Sequence, residues 1–329
     1  MPEPSPTSSR RGRLLRFGAA VAVLLALAGY LVVQYVTGGT GAPRCKVVSG
    51  KGDGASYEFT PEQAVNAATI TAVGTTRGMP ERAVTIALAT ALQESGLRNI
   101  RHGDRDSIGL FQQRPSQGWG TRKQIMDPTY AAGEFYRHLA KVPGYSRLPL
   151  TVAAQRVQRS GYPQAYAKHE PDATLLAAAL TGRAAATLTC EGRPGATRTG
   201  GPDAVRAALV RDFGRDVLQV AGAEVGGGTD AGSGQVSPSA AASPSPGPGP
   251  GTTVTVPVPE GTAADGSRRQ RGWELAHWAV ANSSALHIAH VSYAGREWSA
   301  GRSVSEWTES GNSRNSAKST AEVRIVTGQ

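Results

Sequence analysis

The sequence predicts a mainly α domain after a single transmembrane helix, plus a small α+β domain joined to it by a disordered linker. Three observations carry this. An apolar run whose only strongly polar member is Gln34 covers residues 17–36, helical periodicities fill the stretch between Cys45 and Cys190, and Gly, Ser, Ala and Pro dominate from Gly226 to Gly251.

Composition agrees with such a division. Gly (41) and Pro (21) are about a fifth of the 329 residues, and aromatics are 6%. An average protein carries roughly 12% Gly plus Pro, so the excess argues for unstructured segments beside smaller folded units. A uniform globular enzyme is excluded, and so is a collagen-like chain, because the glycines have no three-residue period. Two cysteines cannot build a disulfide-dense scaffold or a four-Cys zinc site, and no cofactor or metal is expected. The net charge of +10 asks for an anionic partner.

The elements follow in chain order. Residues 1–16 form a basic N-terminus with Arg10, Arg11, Arg13 and Arg16, next to the run Phe17 to Val36. Twenty helical residues reach about 30 Å, the thickness of a bilayer's hydrocarbon core. Arginines on the N-terminal side predict that this end is cytoplasmic and the rest external, a single-pass cell-membrane protein. The competing reading is a cleaved signal peptide and a secreted product. Either way the rest is exported, and nucleic acid drops out as the natural partner. In an oxidising compartment Cys45 and Cys190 are expected to pair as a staple across residues 45–190.

Within that stretch Pro61 to Ala72 and Pro80 to Ser95 read as helices. The second carries Ala83, Val84, Ala87, Leu88, Ala91 and Leu92 on one face and stops at Gly96. Residues 202–222 read as another helix, with Val205, Leu209, Phe213, Val217 and Val220 on one stripe. Residues 226–259 read as a tether that cannot offset its ordering entropy. Residues 270–329 read as the α+β unit: a helix Trp273 to Leu286, strands at Ile288 to Tyr293 and Arg296 to Trp298, and a last strand Glu322 to Val326.

Glu94 is the residue with chemical promise, because it sits in the last turn of its helix. The negative end of the helix dipole and any apolar cover both favour its protonated form. A carboxylic acid kept protonated near neutral pH is what a glycosidase uses on a leaving oxygen. A solvated helix-end Glu is the bland alternative.

The residues that follow extend the pattern. Glu94-Ser95-Gly96-Leu97, then Ser107-Ile108-Gly109-Leu110-Phe111-Gln112 and Pro115, resemble the Glu-Ser signature and Gly-Leu-Met-Gln segment of lytic transglycosylases of the lysozyme-like fold. The resemblance covers roughly residues 60 to 180. It implies a lysozyme-like domain that cuts the β-1,4 bond between N-acetylmuramic acid and N-acetylglucosamine in peptidoglycan. Glu94 would act first as general acid on the glycosidic oxygen, then as base on the C6 hydroxyl, giving a 1,6-anhydro product. It also implies that Gln112 and its Ser107–Gly109 segment line the sugar cleft. Trp119, between two glycines, is a candidate sugar-stacking face or a core residue. Asp104 and Asp106 would matter only for a hydrolytic variant, which needs a second carboxylate or a positioned water. The family's Tyr-Asn-Ala-Gly segment is absent, and Tyr162 or Tyr166 is the candidate for its tyrosine, with Tyr162 placed in the site. The C-terminal unit resembles the end of a domain of actinobacterial cell-wall proteins. Its last strand lacks histidine, and His277, His287 and His290 do not make a ligand set.

The function expected is a peptidoglycan-cleaving enzyme of lytic transglycosylase type, with anionic wall polymers as further partners for its positive charge. The alternative is a catalytically inactive peptidoglycan-binding or wall-assembly module on the same fold.

Overall fold

The computed structural model describes residues 44–159, 163–191, 200–219, 252–258, 268–301, 306–310 and 320–328, together with Ala28. The fold begins with two short strands, β1 (Cys45–Val48) and β2 (Ser56–Phe59). A third, β3 (Leu188–Cys190), returns from the far end of the helical region to complete an antiparallel sheet of order β2-β1-β3. Cys45 stands directly opposite Cys190 in that ladder, and the two form the disulfide. The staple expected from the sequence is therefore present, built into a strand pair.

Between these strands lie the helices α1 (Pro61–Thr76), α2 (Glu81–Ser95), α3 (Arg122–Ile125), α4 (Pro128–Leu139), α5 (Leu150–Gln158) and α6 (Glu170–Leu180), with a 3-10 helix at Pro163–His169. The starts of α1, α3 and α4 carry side-chain caps. Thr60 and Gln63 form a reciprocal capping box on α1, and Asp127 accepts the Thr129 and Tyr130 N–H groups at the head of α4. The end of α2 is equally local: Gly96 adopts φ 62° and its N–H reaches back to Leu92 C=O, an αL closure. The core of α2 is small and apolar, with Ala83, Val84, Ile86, Ala87, Leu88 and Ala91 all buried against α1, α5 and α6.

The C-terminal part comprises α7 (Pro202–Phe213), β4 (Thr253–Pro257), α8 (Arg268–Ala281), α9 (Ser283–Leu286), β5 (Ile288–Tyr293), β6 (Arg296–Ser299), β7 (Thr308–Glu309) and β8 (Glu322–Thr327). The sheet is antiparallel, in the order β4-β8-β5-β6-β7. Strands β5, β6 and β8 fall where the alternation of the sequence puts them. Strand β4 does not: it lies inside residues 226–259, read from composition as linker. Val254 and Val256 alternate inward there and give the strand a face to bury.

Two further expectations are corrected. Among the described residues no helix is long and apolar enough to cross a membrane, and the run 17–36, apart from Ala28, lies outside them. The membrane-spanning helix and the single-pass cell-membrane location are accordingly not carried forward.

The second concerns the C-terminal part: the described residues of Pro43–Gln329 cluster as one compact unit. The reason lies in α8, whose residues from Gly272 to Ala281 are all buried. A helix buried all round must be covered on both sides. Its own sheet covers one side through β5 and β8, while α1, α6 and β3 cover the other. Polar side chains make the junction. Thr75 donates to Glu274, Gln270 donates to Thr181 C=O at 3.1 Å, and Trp307 donates its indole N–H to Leu188 C=O at 2.9 Å. Trp278 and Thr69, from opposite sides, both donate to the buried carboxylate of Asp212.

Candidate functional site

Glu94 lies one residue before the end of α2 and faces a cleft of about 740 Å³. Several contacts hold this helix end in place. Ser95 Oγ donates to Leu110 C=O at 2.8 Å, tying α2 to the 107–113 segment. From α1, Gln63 donates to Gly96 C=O and Asn66 to Leu97 C=O, each at 2.8 Å. The turn that follows Glu94 is thus clamped by two amide side chains from a neighbouring helix.

The carboxyl itself has two partners. Tyr166, fully buried on the 3-10 helix, donates its hydroxyl to Glu94 Oε1 at 2.6 Å. Gln158, the last residue of α5, also hydrogen-bonds Glu94 and donates Nε2 to Phe111 C=O at 2.7 Å. Burial pushes the Glu94 pKa above the ordinary carboxylate range, and the bonds from Tyr166 and Gln158 pull partly the other way. The net direction is upward, so the protonated acid is favoured.

Of the residues assigned from the sequence, Ser107, Gln112 and Trp119 line the same cleft as Glu94. Ser107 is buried and accepts from Arg114 Nε at 2.8 Å. Gln112 adopts φ 47° and folds its Nε2 back onto Gly109 C=O. Trp119 is 9% exposed, with one ring face stacked on His138 at 4.2 Å between centroids. Gly109 stands apart from the cleft lining. At φ 79° its missing Cβ would sit 2.9 Å from Ile125 C=O, so it is glycine in order to pack on α3, not to approach a ligand. Tyr162 lies outside the described residues, and Tyr166 is the tyrosine that meets Glu94. Asp104 lines the cleft but is engaged with Arg114 Nη2 at 2.7 Å. Asp106 accepts the Ser116 N–H, which lowers its pKa.

The sequence reading set Ala153–Gln158 against the family's Tyr-Asn-Ala-Gly segment but named none of its residues for the site. Arg156, Gln158 and Arg159, all at the end of α5, line the cleft together with Arg114 and His138. Burial, then the charge of Arg137, lowers the pKa of His138, which keeps it neutral near pH 7. Nothing local marks α5 as a wall of the site, because Gln158 and Glu94 are brought together only by the packing of α5 against α2.

A family model described as VldE, C-terminal domain, matches residues 246–321. The match spans under a quarter of the chain and describes that part alone, the stretch from just before β4 to the edge of β8. It reaches further back than the boundary at residue 270 drawn from the sequence, in keeping with β4 belonging to the sheet. It gives no family for residues 45–190, so a lysozyme-like fold is not established there. No curated protein matches the chain.

Proposed function

We propose that the chain is an exported glycan-cleaving enzyme of lytic transglycosylase type, acting on the β-1,4 bond between N-acetylmuramic acid and N-acetylglucosamine of peptidoglycan. The observation that carries this reading is Glu94: a largely buried carboxyl with a raised pKa, open to a roomy cleft and held by Tyr166 and Gln158. The Glu-Ser and Gly-Leu-Phe-Gln segments support it. Ser95 of the first bonds Leu110 of the second, so the two motifs form one substructure.

The chemistry needs a single acid. Protonated Glu94 gives its proton to the glycosidic oxygen as the C1–O bond breaks, leaving a carboxylate. Tyr166 O–H, already aimed at Oε1, stabilises that carboxylate. The carboxylate then takes the C6 hydroxyl proton as O6 bonds to C1. The products are a 1,6-anhydro sugar and a free hydroxyl on the leaving sugar, and Glu94 ends protonated. Asp104 is tied to Arg114, which argues against its serving as the base that a hydrolytic route requires.

The test is mass spectrometry of purified peptidoglycan incubated with the protein and with Glu94→Gln. Anhydromuropeptides from the wild type alone are expected. Binding without products would return the chain to a non-catalytic wall-binding role, and reducing-end products lost in the variant would make it a hydrolase.

A further inference from the structure

The α5 wall of the cleft carries more positive charge than the chemistry at Glu94 uses. Three arginines line the cleft: Arg114, Arg156 and Arg159. Arg114 is neutralised by Asp104, and the other two form no ion pair among the described residues. With His138 neutral near pH 7, Arg156 and Arg159 are the cations of the lining that no carboxylate pairs among the described residues. Both sit on the α5 terminus beside Gln158, whose side chain reaches Glu94. Neither arginine is a hydrogen-bond partner of Glu94, whose carboxyl accepts from Tyr166.

Arg159 caps α5 at φ 52°, a left-handed conformation that glycine would adopt at lower cost.

We propose that Arg156 and Arg159 are a carboxylate-binding pair that selects acidic glycan strands over neutral ones at the Glu94 cleft. The proposal rests on the glycan-cleaving reading above and names its substrate class: β-linked amino-sugar strands bearing carboxylates on substituents near the bond to be cut. Guanidinium groups bind carboxylates through paired N–H donors, and a cleft lined by like charges focuses their field on one ligand. A neutral strand of the same length forgoes both contacts.

The test measures binding, not turnover, by calorimetry on the full chain carrying Glu94→Gln. Three probes are compared: a peptide-free tetrasaccharide of alternating N-acetylglucosamine and N-acetylmuramic acid with free lactyl carboxylates, its methyl ester, and a poly(glycerol phosphate) chain. Removing two charge-assisted contacts costs about ten- to a hundredfold in affinity. The free acid is expected to bind at least tenfold tighter than the ester, with the preference abolished by Arg156→Gln/Arg159→Gln and partly kept by the double Lys variant. Both arginines are exposed, so the variants should melt like the parent. Equal affinity for acid and ester, or a preference untouched by the double Gln variant, overturns the pair. Tighter binding of the phosphate polymer overturns the carboxylate assignment. Charge-selective binding by a wild type that cuts no glycan would refute the cleavage reading and leave the pair standing.

Discussion

At the residue scale, Glu94 illustrates how a site sets stability against function. Its folded pKa is raised, so its contribution to stability is full below the usual carboxylate range and is lost as pH rises through the folded value. Glu94→Gln removes the buried charge while keeping an acceptor for Tyr166. The variant should lose cleavage by about a hundredfold or more and yet melt higher than wild type at pH 7. The gap should close toward pH 4, which differential scanning fluorimetry would show. Tyr166→Phe acts in the other direction. Its hydroxyl lowers the Glu94 pKa, so removing it should move the alkaline limb of the kcat/KM profile to higher pH. An unmoved limb would mean that the hydroxyl does not touch the carboxyl in solution.

At the element scale, the reach from α2 to the 107–113 segment depends on Ser95. Its Oγ sits between Ala91 C=O and Leu110 C=O and also accepts the Arg98 N–H. Ser95→Ala should cost about 1–3 kcal/mol, because buried partners are left unsatisfied, and should loosen the Gly109–Gln112 segment relative to Glu94. Chemical denaturation gives the first effect and hydrogen exchange at Leu110 to Gln113 the second. The helix end itself was legible in the sequence from Gly96, since a C-cap is a local device. The wall formed by α5 was not, since nothing within Leu150–Gln158 says which helix it will pack against.

At the scale of the whole molecule, β3 joins the two parts of the chain. It carries Cys190 of the staple, Leu188 C=O accepts from Trp307, and the adjoining Thr187 N–H donates to His277 Nε2 at 3.2 Å. His277 is completely buried, and its Nδ1 faces Ala179 C=O at 2.7 Å, so the neutral ring with its proton on Nδ1 satisfies both neighbours. Burial lowers its pKa to about 4 from an ordinary 6.5. Above 6.5 neither state is protonated and the stability is intact. Between 6.5 and about 4 the unfolded chain takes up a proton that the folded one refuses, so stability falls with pH, by about 3 kcal/mol in all. Urea midpoints at pH 7 and 5 should show this loss, and His277→Asn should flatten it. Reduction of Cys45–Cys190 should destabilise the unit by about 5 kcal/mol in the chain-entropy picture of a long closed loop, measured as a drop in Tm under reductant.

What the sequence by itself determined is whatever short-range chemistry controls. The capped start of α1, the glycine end of α2 and the alternation of β5 and β8 all act within a few residues of the chain. An alternating Val254-Thr255-Val256 was too short a signal to stand out beside the Pro- and Gly-rich stretch before it, so β4 was read as linker. Only the tertiary structure decided which tyrosine meets Glu94, that Arg156 and Arg159 share its cleft, and that α8 is buried on both sides against α1 and α6. Those outcomes join residues tens to hundreds of positions apart. Such approaches are set by which faces exclude water from each other and which buried polar groups find partners, and neither is written in a local pattern.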